Sequence, residues 1–408
     1  MKKTPSRHNA LRRVLIIHTD GNSFNNPSLK CIIDLLLEKG CEIDLRYPKS
    51  EAPMPYYAGI RLLPYGLLHW WKYLVFDRFG FRPLVFLSVL VEKFVYYKKY
   101  DLIIGIDRQG LIEASVLNKI TKTPYVYISF EISFEDETSA RYKSLEKEAA
   151  KNVAIWIVQD EVRAAHLQHE IHLNPLNKIL LPLASAAVGA SAGVGVGKVD
   201  RTRDRLGIPD DKKVVIVIGS ISKWTMASQI LKCVADWPEQ WVLVVHARYG
   251  RTRELLAGEF AAFADLLDHK IFISDAATEM VDDMGSILAG VSAGLAFYKP
   301  LYGEGPYYGK NLEHLGLASG KISTYLRYGV PVIINEVGLY AEEVRQFRFG
   351  CVVERPEQIK DSLDEISHEE YRHNALDYFV KKLDFNIYRD KLWSRFAALA
   401  DNVQRTSA

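Results

Sequence analysis

At 408 residues the chain is too long for one ordinary hydrophobic core, so two domains are expected. Hydrophobic content of 48% beside 25% charged residues is that of a soluble globular protein, and no apolar run reaches the length of a bilayer. A net charge of +2 excludes the broad basic footprint of a nucleic-acid binder.

The basic opening, MKKTPSRHNALRR, leads into VLIIH, which reads as a first strand, Arg13 to His18, and not as a signal segment. A loop containing Thr19, Asp20 and Gly21 follows, then a helix from about Ser28 to Lys39. Strand, Gly-containing loop and helix open a doubly wound α/β sheet, in which ligands bind beyond the carboxyl ends of the strands. Gly21 is therefore placed where a backbone N–H can approach a ligand closely. Cys41 to Tyr47 reads as the second strand.

Residues 56–100 are unusual in composition. Trp70, Trp71, Tyr73, Phe76, Phe79 and Phe86 interleave with Lys72, Arg78, Arg82 and Lys93. The pattern suits helices at a membrane interface, with contact through 62–100, and equally an aromatic core covered by cationic stems. Both readings stay open.

Tyr100 to Ile106 reads as a strand ending at Asp107, with a helix from about Leu111 to Lys119. TPYVYISFEI is the next strand and delivers Glu131 at its carboxyl end. A charged helix, the strand AIWIVQD ending at Asp160, a helix beginning EVRAAHL and the strand NKILLPL complete the series. Alternation of this kind favours a parallel sheet. Ala184 to Lys198, ASAAVGASAGVGVGK, cannot bury much and reads as a linker. Its GVGVGK end lacks the spacing of a phosphate loop.

A second series then begins with KKVVIVIGS, Lys212 to Ser220, followed by WVLVVHARYG, KIFIS, AGLAFY and FGCVVE as further strands. The loop EGPYYGKN, Glu304 to Asn311, reads as mobile. Asp377 to Asn402 is an amphipathic helical end. Cys31, Cys41, Cys233 and Cys351 lack metal-ligand spacing and read as buried thiols suited to a reducing cytoplasm.

The most informative stretch is LASGKISTYLRYGVPVIINEVG, Leu317 to Gly338. Ser319 and Gly320 stand where a helix N-cap belongs and Lys321 follows in the first turn. Amide N–H groups, the positive end of the helix dipole and an ammonium then face one space, a receptor for an anion such as a diphosphate. Gly329 and Pro331 turn the chain into Val332-Ile333-Ile334, a run suited to a parallel strand buried on both faces.

This stretch resembles the nucleotide-sugar motif of GT-B glycosyltransferases of the group 1, family 4-like type, often K-L-F-E-Y-L-A-A-G-K-P-V-I. The matching residues are Lys321, Ile322, Tyr325, Leu326, Gly329, Pro331, Val332 and Ile333. The resemblance implies two Rossmann-like doubly wound domains facing a central cleft: residues 1–183 on the acceptor side, and 184–376 binding the nucleotide sugar. A C-terminal helix, within 377–408, crosses back to the first domain.

It further implies a metal-independent, hexosyltransferase-like enzyme with no cofactor beyond its co-substrate, a UDP- or GDP-linked sugar. The acceptor would be a glycan or lipid-linked sugar in cell-surface polysaccharide or glycoconjugate synthesis, at the cytoplasmic face of a membrane. Donor contacts fall on Gly21, Gly219, Ser220, Lys223, Ile273, Ser274, Ser319, Gly320, Lys321 and Thr324. Lys223 matches a lysine often found as G-x-x-x-x-K-G, although Trp224 replaces the glycine. Asp107 and Glu131 are the candidate catalytic carboxylates: a base for the acceptor hydroxyl if configuration inverts, or positioning groups if it is retained. A helix cap for Asp107 and a salt bridge for Glu131 are the structural alternatives.

The family often carries two glutamates, E-x-x-x-x-x-x-x-E, the second of them on the donor ribose. The aligned residues here are Gly316 and Thr324. This departure keeps open a non-catalytic nucleotide-sugar-binding partner, and the fold itself leaves open a GT-B nucleotide-sugar epimerase. No G-x-G-x-x-G follows either first strand, which disfavours a NAD-dependent dehydrogenase.

Overall fold

The structure is a computed structural model that describes residues 11–19, 23–48, 58–65, 68–80, 82–96, 98–188, 202–247, 250–258, 260–275 and 284–407. Asp20, Gly21 and most of the expected linker lie outside the described residues.

The first lobe is built on β1 (Arg13–Ile17), β2 (Glu42–Tyr47), β3 (Ile60–Pro64), β4 (Leu102–Ile106), β5 (Tyr125–Ile128), β6 (Ile155–Val158) and β7 (Lys178–Leu180). They form one sheet in the order β3-β2-β1-β4-β5-β6-β7, with every pairing parallel. The second lobe uses β8 (Lys213–Gly219), β9 (Trp241–Ala247), β10 (Ile271–Ser274), β11 (Val291–Ala296), β12 (Val332–Ile334) and β13 (Gly350–Val352). Their order is β10-β9-β8-β11-β12-β13, again all parallel. Strand order reverses between β1 and β4 and between β8 and β11. A doubly wound sheet opens its ligand crevice at such a switch point.

Each strand alternates between two cores. Val14 and Ile16 join one and Leu15 and Ile17 the other; Val214 and Ile216 are likewise split from Val215 and Val217. Burial on both faces explains the near-continuous apolar runs. In the second lobe the Tyr325 ring crosses the β8/β11 switch. A Cβ on Gly294 would lie 2.6 Å from that ring, so glycine is required. The Tyr325 hydroxyl accepts from Ile218 N at 2.9 Å and lies 3.1 and 3.2 Å from the carbonyls of Ile216 and Leu295. Burial holds this phenol neutral, its pKa well above the usual value.

The aromatic-basic stretch is partly core and partly exposed. It forms β3 and two helices, α2 (Leu68–Phe79) and α3 (Arg82–Tyr96). Tyr73, Phe76, Val85 and Val89 are buried in the first lobe, whereas Phe79, Phe86, Leu87 and Val91 are exposed. Among the described residues no helix is long and apolar enough to cross a membrane.

The C-terminal segment changes lobe over a few residues. Tyr378, Phe379 and Leu383 pack in the second lobe, whereas Phe385, Leu392, Phe396 and Ala400 pack against the first. The last three of these lie on the helix Arg389–Ser407, which is pinned by an Arg389–Glu38 ion pair. Cys31, Cys41 and Cys233 are buried and Cys351 is half-buried, none of the four in a disulfide.

Candidate active site

The helix Gly320–Arg327 begins as its sequence requires: the Ser319 side chain caps it, accepting from Ile322 N at 3.1 Å. Ser319 is buried, and its hydroxyl also meets the Tyr298 hydroxyl at 2.5 Å. Tyr298 follows β11 and is clamped by Asn335, which accepts from its N–H at 2.8 Å and donates to its carbonyl at 2.7 Å. The Lys321 ammonium lies 5.8 Å from the Tyr298 ring centroid, and a Cβ on Gly219 would sit 3.6 Å from Lys321 Cε. Gly219, Tyr298, Ser319 and Lys321 thus meet at the carboxyl ends of β8 and β11, the second switch point. Trp224, the departure from the family's glycine, stacks on Tyr298 at 5.9 Å between ring centroids.

This corner faces the other lobe. A Cβ on Gly320 would be 3.7 Å from Pro27 at the start of the first helix, α1 (Pro27–Glu38), and from Leu183 beyond β7. The helix dipole and the Lys321 charge therefore act at the seam between lobes.

The opposite rim carries the carboxylates. Glu131 is half-buried, and its Oε2 accepts from Asn311 Nδ2 of the second lobe. Asp107 opens α4 (Asp107–Thr121) with φ +51° and is buried. Its Oδ1 accepts from the amides of Phe130 and Glu131 at 2.7 and 2.9 Å. Asp107 therefore does not cap its helix, as the structural alternative expected; it ties down the loop that presents Glu131. Lone-pair demand from two buried amides is the physical reason.

Arg163, the third residue of the helix that begins EVRAAHL, is the centre of the seam. On α6 (Glu161–Ile171) it is fully buried and donates five times. Its Nε reaches Gln159 Oε1 at 2.7 Å; Nη1 reaches the carbonyls of His314 and Leu315 at 2.9 and 3.4 Å; Nη2 reaches the Phe130 carbonyl at 2.7 Å and Asn311 Oδ1 at 3.1 Å. Burial pulls its pKa below the ordinary arginine value, opposed by the charges of Glu131, Asp160 and Asp107. Asn311 uses every amide position: Oδ1 also accepts from Ile132 N at 2.9 Å, and Nδ2 donates to the Tyr307 carbonyl at 3.3 Å.

Asp160 explains the missing glutamate. It caps α6 by accepting from Arg163 N at 2.9 Å, and its other oxygen accepts from Leu317 N at 2.7 Å across the seam. Gly316 sits beside it at φ +53°, and a Cβ there would lie 2.1 Å from Asp160 Oδ2. A glutamate cannot occupy position 316 in this arrangement, because a first-lobe carboxylate already does. At the second position, Thr324 donates its hydroxyl to the Gly320 carbonyl at 2.7 Å.

The remaining expected donor residues are scattered. Ser220 and Lys223 are exposed beyond β8. Ile273 is buried in the core of the second lobe. Ser274 is buried too: its hydroxyl pairs with His246 Nδ1 at 3.0 Å, and its carbonyl accepts from Thr252 at 2.6 Å. Its place on β10, at the sheet edge, keeps it apart from the β8/β11 corner. Gly21 lies outside the described residues.

Two parallel doubly wound sheets whose strand ends meet across a seam define the GT-B class of fold, and the chain has it. Residues 302–389 match the family model described as the glucosyltransferase 3-like C-terminal domain. In three dimensions the chain is similar to Anabaena HepE, solved in complex with UDP and glucose, at 13% identity over 95% of this chain and 100% of that one, with a TM-score of 0.64. It is similar to sucrose-phosphate synthase of Thermosynechococcus elongatus at 13% identity, over 95% and 99% of the two chains, with a TM-score of 0.68. A third likeness is to WaaG, a glycosyltransferase involved in lipopolysaccharide biosynthesis: 14% identity, 93% and 98% coverage, TM-score 0.61. No curated protein matches the sequence. The resemblance to group 1 GT-B glycosyltransferases that the Lys321 motif suggested therefore stands.

Proposed function

We propose that the protein is a glycosyltransferase that takes a sugar from a UDP- or GDP-linked donor, without a metal ion, and passes it to a glycan or lipid-linked acceptor. The observation that carries this is the corner of Gly219, Tyr298, Ser319 and Lys321, set at the second switch point and aimed across the seam. When the sugar leaves, negative charge develops on the diphosphate. An ammonium and the first amides of a capped helix, fixed in place beforehand, stabilise that charge without reorganising. Glu131 is the carboxylate on the acceptor side; Asp107 and Arg163 are positioning residues that hold it. The UDP complex of HepE, on the same fold, supports a uridine donor.

Lys321→Ala should reduce turnover by roughly 10²–10³-fold, the effect of removing one transition-state donor, with the fold intact by circular dichroism. Sugar release from UDP- and GDP-sugars is the assay, and near-normal turnover in the variant would refute the site. The non-catalytic reading draws on Asp160 standing against Gly316 and on the internal bond of Thr324. Detectable transfer or donor hydrolysis by the wild type excludes it.

The acceptor reading extends to cell-surface glycan synthesis at the cytoplasmic face of a membrane. Exposed Phe79, Phe86, Leu87 and Val91, with exposed Arg78, Lys98 and Lys99 on the same stretch, support peripheral contact with an anionic surface. Co-sedimentation with phosphatidylglycerol vesicles, weakened by Phe79→Ser with Leu87→Ser, is the expected result. Equal recovery with phosphatidylcholine vesicles would remove the anionic surface, and recovery with neither would remove the membrane from the account.

A further inference from the structure

A cavity of about 490 Å³ opens on the seam, away from the Lys321 corner. Asp136, Glu137, Thr138 and Ser139 of the first lobe line one side; Tyr302, Gly303, Gly305 and Lys310 of the second line the other. We propose that it binds a neutral polyhydroxylated ligand, the acceptor sugar of the reaction proposed above, on which this inference rests.

The volume lies within the roughly 300–1,000 Å³ typical of small-molecule sites. Its charges argue against an anion. The Lys310 ammonium is paired with Asp136, and the Lys310 N–H donates to Glu137 Oε1 at 2.9 Å. Glu137 Oε2 is buried and has no hydrogen-bond partner among the described residues. An unpaired buried carboxylate oxygen costs free energy until a donor reaches it, and a sugar hydroxyl is such a donor. Thr138 Oγ1 accepts from Arg108 Nη1 at 2.5 Å, which leaves its own O–H to donate. The wall thus offers both an acceptor and a donor, as a hydroxyl-bearing ligand requires.

The apolar face of a sugar has its counterpart in Tyr302. That ring is 60% exposed, while its hydroxyl is held by Glu313 at 2.7 Å. A ring anchored at its tip and open on its face is a stacking platform. Its place relative to the chemistry is fixed by sequence neighbours: Lys310 lines the cavity, and the side chain of Asn311, the next residue, donates to Glu131. One step along the chain thus joins the cavity wall to the residue that holds the carboxylate assigned to the acceptor side.

The test uses the full chain on a printed carbohydrate array, with UDP titrated separately by calorimetry. The wild type should bind carbohydrate. Tyr302→Ala and Glu137→Gln should each lower that binding by about tenfold or more, whereas Tyr302→Phe keeps most of it. UDP affinity and thermal midpoint should be unchanged in all three. Variants that bind carbohydrate like the wild type, or a wild type that binds UDP and no carbohydrate, would overturn the proposal. Carbohydrate binding that the two variants lose, in a protein that takes neither UDP nor GDP, would uphold the cavity and overturn the transferase reading instead.

Discussion

The carboxyl ends of the first sheet and those of the second are finished in different ways. In the first lobe, Asp107, Asp160 and Arg163 are buried, and their charges are tied to backbone amides and carbonyls, several of them in the other lobe. In the second lobe, Gly219 and Lys321 are half-buried, and Ser220 and Lys223 stand open. One rim uses its polar groups to fix the two lobes against each other; the other leaves its cations partly or fully exposed, as the proposed donor site requires. Removing a charged group should therefore cost stability at the first rim and function at the second.

The largest effect that would break this contrast lies at Arg163. Arg163→Ala strands buried carbonyls and carboxylates, so a loss of about 3–5 kcal/mol is expected. The urea midpoint reads it. Arg163→Lys should recover little of it, because an ammonium cannot reproduce the fork that spans Gln159, His314 and Phe130. A loss below about 1 kcal/mol would mean that the first rim is not the fixed one.

Next comes a pH effect inside the second lobe. Burial, with the charge of Arg205 adding to it, depresses the His246 pKa from 6.5 to about 4. The unfolded chain then takes up this proton before the folded one does. Stability should accordingly be full above about pH 6.5 and be lost on acidification toward pH 4, by up to about 3 kcal/mol. Urea midpoints across that window should flatten in His246→Gln; a parallel slope in both proteins would place the titration elsewhere.

At the seam, Gly316→Ala should cost about 2 kcal/mol, since the new Cβ meets Asp160 Oδ2 and the backbone is left-handed. Gly316→Glu, which restores the family's residue, should lower the thermal midpoint further and raise no activity. Ser319→Ala, the loss of one helix cap, should cost about 1 kcal/mol, read as a shift of the same midpoint.

The fold was largely legible because both sheets are buried on two faces. Continuous runs such as VVIVIG in β8 and LIIGI in β4 have no plausible place except a covered parallel strand. Ser319, Gly329 and Pro331 marked the helix and turn of the donor corner through local rules of capping and dihedral preference. What was missed acts at long range. Arg163 meets residues about 150 positions away, and Asp160 meets Leu317; no periodicity within a window joins such partners. Tyr298 was read only as a strand end, although it orders Ser319, Lys321 and Trp224. The expectation at Ile273 and Ser274 came from the family's usual layout and concerns backbone atoms; their side chains lie in the core and against His246. β3 escaped notice because Pro64 and an aromatic-rich context masked a short edge strand.

Calorimetric titration of UDP and GDP into the wild type and Lys321→Ala is the most direct test of the central claim, that the second rim receives a nucleoside diphosphate. One of the two nucleotides should bind the wild type, and its affinity should fall about tenfold or more in the variant at an unchanged thermal midpoint. Absence of binding by either nucleotide, or equal affinity in both proteins, would contradict it.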